Sequence, residues 1–316
     1  MPAPAVPEPN PFPEGAPGSA RATVEVVRQR VEGNAVAPAD RDDLAIEDPL
    51  EIEIVHRTSE EGETRRRVVT MRTPGHDADL VHGFLYAEGI LRTAADLRSL
   101  TFPDPPDAAA PRRVRATLRR GIAPAAESRD QGHALNASCG VCGSPSLEAL
   151  GLSPSLVLED PVRLDRTIVH QLPGRMRAEQ DTFRRTGGLH AAAIFSATGE
   201  LLVSREDIGR HNALDKAVGH LLRTGRLPAR GCLLCVSGRM SYEILQKALL
   251  ARIPVVVGVG APSSLAVALA NDFGVTLCGF ARGDTYNIYS RPERLRGPLP
   301  APDPATAASP DRGRRP

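Results

Sequence analysis

Two cysteines lie three positions apart in the stretch NASCGVCGSP, at Cys139 and Cys142. A glycine follows each of them, and the missing side chains leave both sulfurs reachable by a large partner. Ser144 and Pro145 are typical of a helix start, which favours the thiolate over the thiol. By itself this spacing fits half of a zinc site, a redox dithiol, a structural pair or a thiol that carries a group.

A zinc site needs two further ligands, and the other closely spaced cysteines of the chain are Cys232 and Cys235. That pair lies in the apolar run GCLLCVSG, where strand periodicity points the two side chains to opposite faces. We therefore expect Cys232, Cys235 and also Cys278 to be core residues. A thioredoxin-like pair is expected directly after a strand, whereas Cys139 and Cys142 follow a long polar stretch.

Polar and charged side chains crowd the stretch SREDIGRHNALDKAVG, at a predicted junction between a strand and a helix. Such a cluster fits a solvated helix start with capping carboxylates. It also fits a ligand site, because open α/β sheets bind ligands beyond the carboxyl ends of their strands. The candidate residues are Arg205, Glu206, Asp207, Arg210, His211, Asn212, Asp215 and Lys216.

Two further predicted strands lead into helices, in VSGRMSYE and GVGAPSSLA. Free backbone N–H groups at helix starts bind phosphate, and an arginine such as Arg239 can grip the same anion. A third strand end, in GFARGDTYNIY, fits either a plain hairpin turn or a site. As a site, it would use Arg282 as a cation and Asp284 as the acceptor of two N–H bonds from a guanine edge.

Hydrophobic periodicity predicts the elements that position these residues. The strands LEIEIVHR, RRRVVTMR and RVRATLRR with the helix DADLVHGFLYAEG predict a small α+β domain over residues 45–135. The cysteine loop and connecting helices follow over 136–185, and alternating strands and helices predict a three-layer α/β domain over 186–294. Tails rich in proline and alanine, at 1–22 and 297–316, are expected to be disordered.

Composition and charge exclude several classes of protein. With 316 residues, 41% of them hydrophobic, the chain can bury a sizeable core, as a globular protein does. Lys and Arg number 39 against 38 Asp and Glu, so no overall field attracts nucleic acid or an anionic membrane. Prolines and glycines interrupt the uncharged run 253–270, which argues against a membrane helix. Five cysteines and no signal-peptide pattern predict a cytoplasmic protein without a disulfide scaffold.

Six motifs of the chain together resemble those of the FdhD family of formate dehydrogenase accessory proteins. In chain order they are SCGVCG, TGGLHAA, REDIGRHNALDK, SGRMSYE, APSSLA and GFARGDTYNIY, and the resemblance covers residues 48–294. It implies a sulfurtransferase whose three-layer domain has a cytidine-deaminase-like fold. It further implies that the protein takes sulfur from a cysteine desulfurase as a persulfide and passes it to the molybdenum cofactor for formate dehydrogenase.

The same resemblance assigns roles to individual residues. Cys139 becomes the persulfide carrier and Cys142 its helper or relay. The bound substrate is the bis-molybdopterin guanine dinucleotide form of the molybdenum cofactor, and its binding turn falls on Phe280, Ala281, Arg282, Gly283, Asp284 and Thr285. The expected partners are a cysteine desulfurase, formate dehydrogenase and this guanine-containing cofactor. No permanent metal, nucleic acid or membrane is expected, and a homodimer is left open.

Three other classes of protein are alternatives to a sulfurtransferase. Zinc deaminases share the implied fold but need His/Cys-x-Glu and Pro-Cys-x-x-Cys motifs, and the corresponding stretches here read RHNALDK and SGRMSYE. A thiol–disulfide oxidoreductase and a structural zinc-binding module remain the alternatives for Cys139 and Cys142. The chain also departs from the family pattern in its proline-rich tails, in an insertion near 104–132 and in the pair Cys232 and Cys235.

Overall fold

The computed structural model describes residues 21–58, 62–104, 111–122, 124, 153–159 and 162–297, so Cys139 and Cys142 lie outside the described residues, as do nearly all of the two predicted tails. The helices are α1 (Asp77–Ala87), α2 (Arg166–Ala178), α3 (Asp181–Thr186), α4 (Arg210–Arg223), α5 (Tyr242–Leu250) and α6 (Ser264–Asp272), with short 3-10 turns at Ala94–Asp96, Pro154–Leu156 and Pro292–Arg294. Within the described ranges, every helix is too short or too polar to cross a lipid bilayer.

The strands alternate with these helices along the chain. They are β1 (Thr23–Arg28), β2 (Val31–Glu32), β3 (Ala35–Val36), β4 (Asp40–Ala45), β5 (Asp48–Thr58), β6 (Gly62–Arg72), β7 (Leu97–Thr101), β8 (Arg112–Leu118), β9 (Leu164–Asp165), β10 (His190–Phe195), β11 (Leu201–Asp207), β12 (Leu233–Val236), β13 (Val255–Gly258), β14 (Thr276–Arg282), β15 (Thr285–Ser290) and β16 (Leu295–Arg296).

The main sheet has the strand order β11-β10-β12-β13-β14-β15. Its central strands β12, β13 and β14 run parallel, and the flanking pairs are antiparallel. The central strands begin with the buried sequences LLCV, VVVG and TLCG. Parallel neighbouring strands need crossover connections, and α5 and α6 supply them. This confirms the alternation of strands and helices predicted for residues 232–280.

Helices cover both faces of the main sheet. On one face, α4, α5 and α6 pack with Ile194, Leu234 and Val256 in one hydrophobic cluster. On the other face, α2 packs with Phe195 and Val257 in a second cluster. The fold is therefore a mixed α/β fold in which the sheet lies between helices. The finer prediction, that the layering is that of a cytidine deaminase, stays a prediction.

A second sheet, in the order β6-β5-β8-β7, carries α1 on one face. Leu50, Ile52 and Ile54 alternate along β5 and are buried against α1, as their period of two predicted. Glu53 faces away from α1, yet its side chain is buried because arginines of β6 and β8 cover it. A hydrogen bond from Arg115, 2.5 Å from the carboxylate, lowers the pKa of Glu53.

An arm of two antiparallel strand pairs precedes this second sheet. β1 pairs with β4, and β2 pairs with β3 at the tip. The guanidinium of Arg185, on α3, donates to Asp43 at 2.9 Å and to Thr23 at 3.0 Å, and so ties the arm to the connecting helices. Sequence patterns predicted no helix or strand over residues 23–44. The arm has no core of its own, since Val24 and Val27 stay exposed, and its apolar pattern is correspondingly weak.

The two sheets are joined where α1 crosses α4. A Cβ added to Gly83 would lie 1.9 Å from the carbonyl oxygen of Asp215, and one added to Gly219 would lie 1.9 Å from that of Asp79. Atoms that are not bonded to each other do not approach so closely, so glycine is required at both positions. Two glycines therefore set how closely the backbones of α1 and α4 pack.

We expect Gly219→Ala to destabilise the protein by about 1 to 3 kcal/mol or more, because its Cβ would meet the backbone of α1. The matched control is Gly174→Ala, in α2, where an added Cβ meets nothing within 4 Å. That change should leave stability unchanged or raise it by about 0.4 to 1 kcal/mol. Urea denaturation of both variants measures the difference, and equal midpoints would contradict the role given to the crossing.

Candidate functional site

The carboxyl ends of β12, β13 and β14 meet at one edge of the main sheet, since these strands run parallel. We call this the carboxyl edge. It consists of the segments 237–241 and 259–263, which follow β12 and β13, and of 280–285, which holds the last residues of β14 and the turn into β15. β10 runs antiparallel to β12, so its first residue, His190, lies at the same edge. The helices α4, α5 and α6 all begin here. Open α/β sheets bind ligands at such an edge.

Backbone hydrogen bonds connect the three segments of the carboxyl edge. The N–H of Met240 donates to the carbonyl of Ala261 at 3.0 Å, and the N–H of Phe280 donates to the carbonyl of Gly260 at 3.1 Å. A Cβ added to Gly260 would lie 2.8 Å from the carbonyl oxygen of Gly238, so these loops touch through their backbones. Main-chain contacts therefore hold the three segments against one another.

A β-bulge turns the chain at Phe280. The pairing of β14 with β15 shifts between Gly279 and Arg282, so that Phe280 and Ala281 both oppose Tyr286. Phe280 has a φ of 55°, in the left-handed region that non-glycine residues rarely adopt, and its side chain is 44% exposed. Residues with a strained backbone cluster at ligand-binding sites, and Phe280 combines such a backbone with an exposed aromatic ring.

The predicted cofactor-binding turn forms the hairpin between β14 and β15. Arg282 pairs with Thr285, and Gly283, with a φ of 53°, takes the left-handed position of the two-residue loop. Arg282 and Asp284 are exposed, and neither enters an ion pair among the residues that the structure describes. Ala281 is buried against the α2 side of the sheet, so only its backbone could face a ligand.

The charged block before α4 has in part a structural role. Lys216 is buried and lies 2.7 Å from the carboxylate of Asp207. Its ammonium group also donates to the carbonyl of Thr73 at 2.8 Å, and Asp207 accepts from the N–H groups of Thr73 and Gly209. A buried ion pair of this kind is stable only when such additional hydrogen bonds satisfy both charges. Lys216 and Asp207 therefore join β11 and α4 to the chain before α1.

Arg205 pairs with α1. Its guanidinium lies 2.8 Å from the buried carboxylate of Asp79, to which Arg223 also donates at 2.6 Å. Burial by itself would raise the pKa of Asp79, but hydrogen bonds from His220, Arg205 and Arg223 hold it well below its usual range. Arg205 is thus a structural partner of α1 and does not extend the candidate ligand site.

Three other members of the block also have protein partners. The carboxylate of Glu206 accepts from the N–H groups of Thr182 and Phe183, and so caps α3. Asp215 pairs with Lys247 of α5 at 2.6 Å. The amide of Asn212 donates to the carbonyl of Met71 at 2.8 Å. Arg210 and His211, in the first turn of α4, are the members of the block that lie at the carboxyl edge.

His211 connects the starts of α4 and α5. Its Nε2 lies 2.8 Å from the carboxylate of Glu243 and 3.3 Å from the hydroxyl of Ser241. The hydrogen bond from His211 is the main cause of the lowered pKa of Glu243. Both contacts use the same ring nitrogen, whereas a Ser-His-carboxylate triad uses one nitrogen for each partner. The arrangement is therefore an acid–base pair at the edge and not a nucleophilic triad.

His190 and Arg210 meet over Gly238. A Cβ added to Gly238 would lie 3.2 Å from Nδ1 of His190 and 3.7 Å from Cβ of Arg210. Burial lowers the pKa of His190, and the nearby charges of Arg210 and His211 lower it further. His190 lies in the motif TGGLHAA, but no sequence pattern singled it out as a site residue. Its neighbour Gly238 comes 48 positions later, at the end of the strand that pairs with β10.

Of the described cysteines, Cys235 and Cys278 are core residues as expected, whereas Cys232 precedes β12 and is only partly buried. Cys235 and Cys278 are buried on the α2 side of the sheet, while Cys232 packs against the opposite cluster, which confirms the expected opposite faces. Burial raises the pKa of Cys278 to about 12 and that of Cys235 further still. Among the residues that the structure describes, no three His, Cys, Asp or Glu side chains are grouped as a metal site requires.

These observations define an open-sheet α/β protein whose carboxyl edge gathers helix starts, cations and a strained exposed turn. A family model described as the FdhD/NarQ family matches residues 45–296. The chain belongs to the FdhD/NarQ family.

Relatives match along most of their length. The sulfur carrier protein FdhD of Sulfurisphaera tokodaii is 39% identical over 272 residues, covering 86% of this chain and 98% of the relative. That of Mycolicibacterium paratuberculosis is 42% identical over 267 residues, covering 83% and 94%. A solved structure of a formate dehydrogenase accessory protein from Desulfotalea psychrophila matches with a TM-score of 0.63 and 20% identity, covering 87% of this chain and 100% of that one. At that identity the likeness shows the fold alone.

The contact between His211 and Glu243 makes a prediction that NMR can check. In His211→Leu the carboxylate loses its main hydrogen-bond donor, so the pKa of Glu243 should rise towards its ordinary value of about 4.3. In the unchanged protein the same group should stay ionised to lower pH. Carbon-13 titration of the Glu243 carboxyl measures both, with His56→Leu, in the second sheet, as the control. An unchanged Glu243 titration in His211→Leu would refute the pairing.

Proposed function

We propose that this chain is a sulfur carrier in the maturation of formate dehydrogenase, with Cys139 as the residue that carries the sulfur. The observation that carries the proposal is the family match over residues 45–296, a range that includes both Cys139 and Cys142. Curated relatives of 39 and 42% identity are named sulfur carrier protein FdhD, which supports the same role here.

Sulfur enters as a persulfide on Cys139. The thiolate of Cys139 attacks the outer sulfur of a persulfide on a cysteine desulfurase. A new S–S bond forms on Cys139, the S–S bond of the donor breaks, and the donor cysteine leaves as a thiolate. The transferred sulfur keeps its oxidation state, so this step needs no oxidant or reductant. The glycines after Cys139 and Cys142 leave room for a donor protein to approach.

Cys142 supplies the electrons that release the sulfur. Its thiolate attacks the inner sulfur of the Cys139 persulfide, which forms a Cys139–Cys142 disulfide and frees the outer sulfur as hydrosulfide. Two cysteine sulfurs are oxidised in this step and one sulfane sulfur is reduced. Without an acceptor the sulfur would be lost, so release should follow binding of the molybdenum cofactor as substrate. Cys139 is therefore essential for loading, and Cys142 assists only at the release step.

The acceptor is the bis-molybdopterin guanine dinucleotide form of the cofactor, held by its guanine at the turn 280–285. The exposed ring of Phe280 offers a face on which a base can stack. Arg282 supplies a cation, and the carboxylate of Asp284 can accept two N–H bonds from the guanine edge. The adenine edge does not offer the same pair of donors, so this turn would select guanine.

Transfer to Cys139 can be followed by intact-protein mass spectrometry. After incubation with a cysteine desulfurase and cysteine, the unchanged protein and Cys142→Ala should each gain one sulfur atom, whereas Cys139→Ala should gain none. Cys278→Ala is the matched control, since the buried thiol of Cys278 stays protonated and should carry nothing.

Two outcomes of that experiment would reject the assignment. If Cys139→Ala still gains a sulfur atom, Cys139 is not the carrier. If the unchanged protein gains none but reduces insulin disulfides through Cys139 and Cys142, the pair belongs to a thiol–disulfide oxidoreductase. A stoichiometric zinc content that is lost in Cys139→Ala would instead assign the pair to a structural metal site.

Guanine recognition predicts a selective loss in two variants. Arg282→Ala should weaken GDP binding by about 1.5 to 3 kcal/mol, or roughly 10- to 150-fold, because it removes a charge-assisted contact. Asp284→Asn should remove the preference for GDP over ADP. Arg230→Ala is the control, since Arg230 is also exposed but precedes β12, at the opposite end of that strand. Equal binding of GDP and ADP by the unchanged protein would argue against recognition of guanine by Asp284.

A further inference from the structure

The second sheet has a face that points away from α1. Leu50, Ile52 and Ile54 of β5 point towards α1, so the side chains between them point the other way, together with their cross-strand neighbours. We call this outer side the arginine face. Its charged members are Glu51, Glu53, Arg57, Glu63, Arg65, Arg67, Arg113 and Arg115, and Val69 and Met71 lie beside them on β6.

The charges of the arginine face lie in two layers. Arg115 pairs with Glu53 at 2.5 Å, and Arg113 pairs with Glu51 at the same distance. The side chains of Glu53 and Glu51 are only 0% and 14% exposed, so these carboxylates lie underneath. The side chains of the five arginines are 33 to 64% exposed. Solvent therefore meets mainly guanidinium groups on this face.

The arginine face carries an excess of positive charge. It has five arginines and three glutamates, so two positive charges remain unbalanced. The contacts of Arg113 and Arg115 to the glutamates use their Nε atoms. A guanidinium has two further nitrogens that can bind another carboxylate. The face is therefore complementary to a surface that presents carboxylates.

The composition of the face fits a protein better than a nucleic acid. The glutamates beneath the arginines repel phosphate groups, and the described members of the face include no aromatic ring on which a base could stack. Val69 and Met71 are 40% and 46% exposed beside the arginines. Arginine and methionine are both enriched in protein–protein interfaces.

The size of the face fits a transient contact. The eleven residues of β5 extend over about 35 Å, and four strands about 4.8 Å apart make the sheet about 15 Å wide. The face thus measures roughly 500 Å², whereas a stable complex buries about 800 Å² on each partner. A protein that receives a group and then passes it on has to leave its donor, so a small contact suits it.

We propose that the arginine face is the docking surface for the sulfur donor, a protein whose own contact surface is acidic. The identity of this partner rests on the function proposed above, whereas the charge of the surface comes from the structure. β8, at the centre of the face, ends at Leu118, and the chain continues through Ile122 towards Cys139. A donor docked here therefore lies beside the strand from which the chain leads to the proposed carrier residue.

Binding is measured by interferometry with the cysteine desulfurases encoded in the same genome, on protein that carries Cys139→Ala so that no sulfur moves. Arg57→Glu and Met71→Glu together should raise the dissociation constant roughly 10-fold at low salt, because they add carboxylates to a face that meets carboxylates. The difference should shrink as salt screens the charges. Arg230→Glu with Leu265→Glu, both exposed and outside the second sheet, makes the same change of charge and should leave binding unchanged.

Urea denaturation shows whether the double variant is folded. If its midpoint falls, Met71→Glu alone repeats the binding test, since Met71 is exposed and its replacement breaks no ion pair.

Sulfur loading connects the surface to the chemistry. With Cys139 intact, Arg57→Glu with Met71→Glu should need roughly ten times more desulfurase for half-maximal loading and should still gain one sulfur atom. Loading from cysteine persulfide, a small donor that needs no docking surface, should be equal in all these proteins.

The outcomes separate the docking surface from the carrier function. If the desulfurase loads Cys139 with the same concentration dependence in every variant, the docking surface is refuted and the carrier function stands. If the desulfurase binds through the arginine face but Cys139 gains no sulfur from either donor, the docking surface stands and the carrier function fails. No binding of a desulfurase, or tighter binding of single-stranded RNA to the same face, would overturn the proposal.

Discussion

The contact between the backbones of α1 and α4 is the constraint on which the rest of the structure depends. Gly83 and Gly219 let the two helices touch, and Asp79 on α1 then reaches arginines of β11 and α4. Because α4 is fixed along its length by these contacts, its first turn has one position relative to the sheet. That first turn carries Arg210 and His211 to the carboxyl edge, so the second sheet helps to position the candidate site without lining it.

The charged residues in the block around the start of α4 have two different roles. Buried carboxylates and cations, such as Asp207 with Lys216, satisfy each other and hold elements together. Such pairs gain little net free energy, since desolvation offsets much of their attraction, but the loss of one partner leaves an uncompensated charge. They therefore specify how the elements dock. At the edge the balance differs, because Glu243 pairs with His211 and is also acted on by Arg210, while His190 is faced by the charges of both Arg210 and His211.

Sequence periodicity predicted the helices and strands better than it predicted which of their charged residues are structural. The buried face of β5, the parallel centre of the main sheet and the hairpin after Arg282 follow from local pattern, as do the opposite faces of Cys232 and Cys235. Which members of REDIGRHNALDK are structural depends on Asp79 and Thr73, more than a hundred positions earlier. The pairing of β10 with β12 is what places His190 at the carboxyl edge, and no local sequence pattern encodes that pairing.

The position of the cysteines in the chain sets a distance that a carrier mechanism has to cover. After Cys142, the residues that the structure describes resume at Ser153. The segment that begins there forms hydrogen bonds with Phe273 and Arg252, which precede β14 and β13, respectively. That is the edge opposite the turn 280–285, about 23 Å away along the seven residues of β14. Cys139 precedes Ser153 by fourteen positions, which can span roughly 46 to 50 Å when extended. The length of the chain between Cys139 and Ser153 is therefore sufficient for the proposed carrier residue to reach the turn 280–285 from the opposite edge.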